Sequence, residues 1–419
     1  MNRFLTVSAV LAALAASPAA AAPVELTVFY AWPSHQRFHE PIAAAFMERH
    51  PDIRIRFQAP ASSYDEAFQS LLRQGMTGSL PDVTFAGYQM LRGLADRGLA
   101  QDLGPQIAAT PDWPASKGFA DSVLALGRVS GRQVALPFVA STPILYVNAD
   151  LAARAGSGDA PFPSDWDGLI RLAHRIDGLG PDIDGMYYGL GVDDWTTQAL
   201  VLNQGGALLT PDEADIAFDG SAGLEALRLF RRFREEGGQP AIGDESARQQ
   251  FVAGKLGILV ASTSGVRGLE ADIGARFPLK TARLPLADPE RGRLPTGGMA
   301  GVILTGDPAK RDAAWAYLQF ASGPEAQTLM VQKSGYTPVT SLALGPDYLG
   351  DFYREHPNWS TSVEQLPKAT SWTAWPGPNG VEISQALLDA MSALAQDRLT
   401  PEEALAEMAA AARRLMPRR

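Results

Sequence analysis

Residues 134–150 read VALPFVASTPILYVNAD, two short apolar runs separated by Ser141, Thr142 and Pro143. Short apolar runs that are rich in β-branched residues predict buried strands. Pro143 cannot donate a hydrogen bond to a sheet, and it favours an extended conformation at Thr142. One interpretation is a strand that leaves one sheet and enters a second sheet at Ile144, which would make this stretch a hinge beside a cleft. The alternative is one long strand with a proline at a sheet edge.

The segment before this stretch alternates between strand and helix patterns. Strand patterns at 26–30, 53–57 and 83–86 are separated by amphipathic helix patterns at 38–49 and 64–76. This order and spacing predict a parallel sheet with helices on both of its faces. Ligands bind such sheets at the carboxyl ends of the strands. We therefore expect the loops at 30–35, 60–64 and 86–89 to converge on one place.

The composition is that of a folded protein with more than one domain. The chain has 419 residues, of which 46% are hydrophobic and 20% are charged, and this length predicts two or three domains. Its formal net charge is −10. An acidic balance argues against nucleic acid or an anionic membrane as the partner.

The amino terminus has the pattern of a secretory signal peptide. Three residues that include Arg3 precede an apolar run at 4–16 and small residues at 17–22, and we predict a signal peptide at 1–21. The chain has no cysteine, so it has no lipid-attached cysteine, disulfide or thiolate metal site. We expect a mature protein that is free in the periplasm of a bacterium.

Five segments together resemble one family, the periplasmic solute-binding proteins of ATP-binding-cassette (ABC) importers, in the group that takes up sugars and glycerol phosphates. These segments are FMERHPDIRI at 46–55, GSLPDV at 78–83, LPFVASTPILYVN at 136–148, FVAGKLG at 251–257 and SGYTPV at 334–339. The resemblance covers nearly all of the mature chain, in the family's order and spacing.

The resemblance implies an α/β fold of two lobes, the type II periplasmic binding protein fold, with hinge crossovers and a ligand cleft between the lobes. We expect the N-terminal lobe at 22–139 and 265–325, and the C-terminal lobe at 140–264 and 326–419. The implied function is capture of a carbohydrate or polyol by hinge closure and its delivery to the transmembrane subunits of an importer. The resemblance implies a monomer without cofactor, metal or nucleic acid.

Matched segments also imply which residues face the ligand. They are Trp32, Ser34, His35, Ser63, Tyr64, Ser141, Asp194, Trp195, Ser262, Ser264, Gly297, Gly298, Tyr336, Trp372 and Trp375. Aromatic rings stack on the apolar face of a sugar, while hydroxyl, carboxylate and backbone groups bind its hydroxyls. We expect Asp194 to accept two such hydroxyl hydrogen bonds. For Trp113, Trp166 and Trp315 we expect a place in the core.

One departure from the family pattern bears on the charge of the ligand. Glycerol phosphate binders of this family carry an arginine in the loop before the last helices, and the corresponding loop at 371–378, SWTAWPGP, has none. A neutral or weakly charged carbohydrate is therefore favoured. The alternative is glycerol 3-phosphate, a glycerophosphodiester or another anionic derivative, held by helix N-termini at Ser34 or Ser264 or by Arg37 or Arg267.

The alternative of another class is a secreted glycan-active hydrolase. Asp193-Asp194 and Asp65-Glu66 are paired carboxylates, but neighbours in sequence are more typical of a solvated turn or a helix start. The motifs of other enzyme classes are also absent. His39-Glu40 is not followed by the second histidine of a zinc protease. The third glycine of a dinucleotide fingerprint is replaced by Asp194, and there is no G-x-S-x-G elbow. The five histidines have no metal-ligand spacing. We do not expect an enzyme.

Overall fold

Two β-sheets, joined at residues 141–143, organise the molecule. The computed structural model describes residues 22–110, 112–158, 162–191 and 193–417; the predicted signal peptide lies outside them. The strands are β1 (Val24–Tyr30), β2 (Ile53–Phe57), β3 (Val83–Gly87), β4 (Arg128–Val129), β5 (Arg132–Gln133), β6 (Leu136–Ser141), β7 (Pro143–Asn148), β8 (Asp184–Tyr188), β9 (Leu256–Ser262), β10 (Leu279–Arg283), β11 (Leu294–Ile303) and β12 (Ala369–Ser371).

Helices cover both sheets. They are α1 (Gln36–Arg49), α2 (Tyr64–Thr77), α3 (Leu91–Asp96), α4 (Gly104–Ala108), α5 (Trp113–Ser116), α6 (Asp121–Leu124), α7 (Ala149–Arg154), α8 (Trp166–Asp177), α9 (Trp195–Asn203), α10 (Ser221–Glu235), α11 (Asp244–Val252), α12 (Val266–Ile273), α13 (Pro308–Ala321), α14 (Pro324–Ser334), α15 (Gly350–Glu355), α16 (Pro357–Gln365), α17 (Gly380–Ala395) and α18 (Pro401–Leu415). Within the described ranges, none of them combines the length and the apolar character of a membrane span.

The first sheet has the order β12-β11-β3-β1-β2, and β6 also pairs with β11. Its strands β2, β1 and β3 are parallel, which confirms the sheet predicted from residues 26–86. The long strand β11 runs antiparallel to both β3 and β6. The second sheet has the order β10-β7-β9-β8.

The stretch at 134–150 crosses from one sheet to the other. Strand β6 ends in the first sheet at Ser141, and β7 begins in the second sheet at Pro143, where it pairs with Ser262 of β9. The crossing interpretation is therefore correct, and the alternative of a single edge strand is wrong. A second connection lies directly beside it, because the Thr263 N–H donates to the Thr142 carbonyl at 3.0 Å.

A buried glutamine ties the two crossings to a third connection, the one between β10 and β11. Gln365, at the end of α16, donates from Nε2 to Thr142 Oγ1 at 2.8 Å and to the Pro143 carbonyl at 3.0 Å. Its Oε1 accepts the Leu284 N–H at 2.6 Å. One side chain thus holds the backbone of two separate connections, which makes this the structural centre of the hinge region.

The observed pairing departs from the predicted lobe boundaries at two places. Strand β10 pairs with β7 in the second sheet, although residues 265–325 are expected in the N-terminal lobe. Helix α14 packs on α1 beside the first sheet, although 326–419 was assigned to the C-terminal lobe. The bounds of the two lobes stay a prediction.

Alternation along the strands creates a core on each face of the second sheet. Ile144 and Tyr146 pack in one cluster, while Leu145 and Val147 pack in another, with side chains of α8, α10 and α17. This is the period of two expected for a strand covered on both faces. Of the tryptophans predicted for the core, Trp113 and Trp166 are buried, and Trp315 is partly buried against the ring of Trp113.

Candidate ligand-binding cleft

A cavity of 260 Å³ opens where the two sheets meet, and side chains from both sheets line it. The loop after β1, the start of α2, the end of β6 and the middle of β11 contribute from the first sheet; the end of β9 and the start of α9 contribute from the second. The lining residues are Trp32, Ser34, His35, Tyr64, Ser141, Asp193, Trp195, Ser262, Ser264, Gly297, Gly298, Tyr336 and Trp372. The cavity thus lies at the carboxyl ends of β1 and β9, where an open α/β sheet binds its ligands.

The structure brings together all of the residues predicted to face the ligand except Ser63, Asp194 and Trp375. Ser63 instead caps α2, because its Oγ accepts the Glu66 N–H at 3.1 Å. Asp194 accepts the indole N–H of Trp372 at 3.0 Å and that of Trp375 at 2.7 Å. These bonds position a cavity tryptophan, and they leave lone pairs on both oxygens. The predicted role of Asp194 as an acceptor for solute hydroxyls stays a prediction.

Aromatic rings form the walls of the cavity. Trp32 and Tyr64 meet edge to face with ring centroids 6.0 Å apart, and Trp195 and Trp372 lie 6.4 Å apart. The Trp195 indole N–H donates to the Pro295 carbonyl at 3.0 Å, which ties the start of α9 to β11. Aromatic walls of this kind suit the C–H faces of a sugar.

Trp32 has a backbone conformation that is unusual for a residue with a side chain. Its φ is 69°, and non-glycine residues pay for this region with about 1–3 kcal/mol of strain. Two hydrogen bonds hold it there, from its own N–H to the Ala61 carbonyl at 2.7 Å and from the His35 N–H to its carbonyl at 2.8 Å. Such strain is concentrated at ligand clamps, and here it directs the first loop towards the cavity.

The two glycines of β11 make room for the cavity. A Cβ atom on Gly297 would lie 2.8 Å from Ser141 Oγ and 3.1 Å from the ring of Trp195. Gly298 has a φ of 110°, and a Cβ there would lie 2.4 Å from the Val139 carbonyl oxygen. Any larger residue would push Trp195 or β6 away, so these positions require glycine for close approach.

The polar groups of the lining are neutral or acidic. Burial, together with the nearby Arg37 charge, lowers the pKa of His35 to about 3, so its imidazole is neutral at physiological pH; its Nε2 lies 3.4 Å from the Tyr336 hydroxyl. Burial and the charges of Asp194 and Asp65 raise the pKa of Asp193 to about 7. Among the described residues that line the cavity, Asp193 is the one carboxyl-bearing side chain, and there is no lysine or arginine.

Comparison with known proteins decides the family. Residues 32–328 match the family model of the bacterial extracellular solute-binding proteins. The chain belongs to this family. A binding protein of Brucella abortus (strain 2308) is 24% identical to this solute-binding protein over 95% of this chain and 94% of its own.

Two solved structures share the fold of this solute-binding protein. The cyclic alpha-maltosyl-1,6-maltose binding protein from Arthrobacter globiformis has a TM-score of 0.78 and 24% identity, covering 94% of this chain and 99% of its own. UgpB from Mycobacterium tuberculosis, solved in complex with glycerophosphocholine, has a TM-score of 0.79 and 20% identity, covering 94% and 98%. The expected α/β, two-lobe binding-protein fold is thereby confirmed.

Two features extend the cleft of this solute-binding protein beyond the first cavity. A recess of 360 Å³ shares Asp193, Trp195, Ser262 and Ser264 with it and continues over the second sheet. A smaller recess of 40 Å³ begins on the other side of Asp193 and is bounded by α2, α3 and α17. The cleft is therefore longer than its central cavity, with Asp193 at the junction of its parts.

An ion pair joins the two sides of the cleft. Arg92, on α3 beside the first sheet, places Nη2 at 2.6 Å from Glu213 Oε2, in the loop between α9 and α10. The Arg92 side chain is only 15% exposed, so this pair is less screened than an ordinary surface pair. Glu213 has a φ of 56°, a second strained residue at the cleft. The contact can form only while the two sides are close.

The sequence interpretation missed Asp193 as a lining residue. Of the neighbouring pair Asp193-Asp194, only Asp194 is among the residues expected to face the ligand. The two positions are alike in sequence, and what distinguishes them is the pair of indole donors far along the chain. The sequence did contain a signal. Asp193 and Asp194 both stand before α9, and only one residue can be the N-cap of a helix, so the other was free to face the cavity.

Proposed function

We propose that the protein captures a neutral or weakly charged carbohydrate or polyol in the 260 Å³ cavity and delivers it to the membrane subunits of an ABC importer. The observation that carries the proposal is the lining itself, in which five aromatic side chains alternate with serine hydroxyls and backbone groups. This combination suits a ring with one apolar face and a hydroxylated rim. The maltose-type ligand of the Arthrobacter relative is of this class.

The mechanism follows from the hinge. Ser141 and Ser262 end the two strands that run into the crossings, and both hydroxyl-bearing residues line the cavity. A solute that contacts both therefore binds best when the sheets are close, and it shifts the open and closed populations by that difference in affinity. Closure then presents one surface made from both lobes to the importer.

The anionic alternative has less support from the site. Arg37 and Arg267 are exposed, and neither is among the described residues that line the cavity. An anion bound in the cavity would lie near the carboxyl group of Asp193. Because UgpB from Mycobacterium tuberculosis was solved with glycerophosphocholine, this zwitterionic solute belongs among the compounds to be tested.

We propose binding without catalysis at this site. The imidazole of His35 faces the Tyr336 hydroxyl rather than a serine, and the Ser262 and Ser264 hydroxyls bond to each other at 2.9 Å. No His, Asp or Glu cluster suited to a metal occurs within the described part of the chain. Turnover of chromogenic glycosides would contradict this.

Export is part of the same proposal. We propose that residues 1–21 are removed as a signal peptide and that the mature chain is free in the periplasm. Intact-mass measurement of the protein from a periplasmic extract tests this, because retention of the first 21 residues or an added lipid mass would contradict it.

Thermal unfolding against a panel of sugars, alditols and glycerol phosphates tests the function. A solute at about 1,000 times its dissociation constant should stabilise the folded protein by roughly 4 kcal/mol. Trp32→Ala should abolish the shift. The matched control is Trp315→Ala, which removes another partly buried tryptophan away from the cavity. No shift with any solute, or an equal loss in both variants, would contradict the proposal.

A further inference from the structure

We propose that the solute carries a primary or secondary ammonium group on its hydroxylated skeleton, as an amino sugar does, and that this group binds between Asp65 and Asp193. The inference rests on the proposed function and adds a charge to the solute class. It concerns the 40 Å³ recess beside the central cavity, which we call the acceptor recess; Asp65, Gln89, Asp193, Asp194 and Arg97 provide its polar lining.

Oxygen atoms of three side chains in the acceptor recess, Asp65, Gln89 and Asp193, can accept further hydrogen bonds. Neither Asp65 nor Asp193 forms an ion pair within the part of the chain that the structure describes; Asp193 accepts only the Trp195 N–H, at 3.1 Å. Gln89 Oε1 is buried and has no donor in that same part. Buried acceptors without partners cost about 1–3 kcal/mol each. An occupant with several N–H donors would satisfy them together.

The neighbouring groups do not neutralise the two carboxylates. The Arg97 side chain donates to the Gly93 carbonyl at 3.0 Å and packs over the ring of Phe68. The carboxylate of Asp194 already accepts hydrogen bonds from the indole N–H groups of Trp372 and Trp375. Burial and the nearby Asp194 charge raise the pKa of Asp65, in the same direction as that of Asp193. Both shifts are those of buried carboxyl groups that lack a cation beside them, and a bound ammonium would lower both pKa values.

The two carboxylates come from opposite sides of the cleft. Asp65 is in the first turn of α2, beside the first sheet, and Asp193 lies two residues before α9, whose Leu200 and Val201 pack in the core cluster of the second sheet. Closing the cleft brings like charges together, and this opposes closure. A cation between the two carboxylates replaces this repulsion by attraction to both of them. It therefore binds the closed form more tightly than the open form.

The size and chemistry of the recess favour an ammonium over other cations. A volume of 40 Å³ holds about one water-sized group. A quaternary ammonium has no N–H to donate, so it would leave the acceptors unsatisfied.

Calorimetric titration at pH 6.5 tests the inference with amino sugars, each matched with its neutral hydroxyl parent and its N-acetyl form. D-glucosamine, D-glucose and N-acetyl-D-glucosamine form the first set, and amino disaccharides with their parents form the second. We expect at least one amino sugar to bind tenfold or more tightly than its parent. Glycerophosphocholine should not gain over glycerol 3-phosphate, because its ammonium is quaternary.

Two variants complete the test. Asp193→Asn should remove the preference for the amine, measured as the ratio of amine affinity to parent affinity, whereas Glu48→Gln, which removes an exposed charge on α1 outside the cleft, should keep that ratio. Neutral sugars that bind as tightly as their amines overturn the ammonium inference and leave the proposed function standing. Absence of binding by every sugar and polyol overturns the proposed function and the inference together.

Discussion

Replacing Asp194 by alanine should destabilise the folded protein by about 2–6 kcal/mol. The substitution removes the acceptor of two indole N–H groups, those of Trp372 and Trp375, which are 4% and 5% exposed and so cannot turn to water. Each orphaned buried donor costs about 1–3 kcal/mol. Gln198 Nε2 also donates to Asp194, at 3.0 Å. It still donates to the Thr373 carbonyl at 3.1 Å after the substitution, so it adds nothing to the expected loss.

The assay is equilibrium urea unfolding followed by circular dichroism, with the free energy taken from the midpoint and slope. Asp194→Asn keeps one acceptor oxygen and should lose about half as much. Asp193→Asn is the matched control, because that carboxylate accepts only a backbone N–H. A loss below about 1 kcal/mol for Asp194→Ala, or a loss equal to that of the control, would refute the view that this carboxylate holds the tryptophan loop.

Three further predictions concern the cleft. Arg92→Gln and Glu213→Gln should each weaken solute binding, with a coupling of about 1 kcal/mol in a double-mutant cycle; strictly additive effects would argue against the ion pair as a latch. The folded state keeps a proton on Asp193 up to about pH 7, whereas the unfolded chain loses it near 3.8, so stability should fall as the pH rises through this window. Melting temperatures against pH should show that slope, and Asp193→Asn should flatten it. Gly297→Val, which would place a Cβ 3.1 Å from an indole ring, should lower solute affinity at least tenfold in calorimetry, whereas Gly306→Ala, in open space, should not.

The hinge was predictable because its signal is local. Pro143 separates two apolar runs, and a proline within a sheet is restricted to edge strands, first strand positions and bulges. In the structure it is the first residue of β7. Strand β10 was not predictable in this way. Its five residues, LKTAR, are all partly or fully exposed, so they carry no apolar alternation, and only pairing with β7 makes them a strand.

The location of the site was predictable, but the sequence did not indicate which of its carboxylates faces the cavity. Loops that follow parallel strands converge for reasons of topology, and this brings the first loop and the serines of the crossings to one cavity. Asp193 and Asp194 have the same chemistry and adjacent positions, but opposite orientations. Their orientation depends on tryptophans almost two hundred residues later, and no local pattern contains that contact.

The position of Gln365 gives the protein a second place at which solute affinity is set. Its amide bonds hold the connections between the sheets, and behind it lies a groove of 530 Å³ that does not reach the solute cavity. Apparent affinity equals intrinsic affinity multiplied by the fraction of molecules in the binding-competent form. Bulk added to that rear groove would therefore retune the affinity for every solute by one common factor. Selectivity among solutes would be untouched, so the strength of capture and the choice of cargo can change independently.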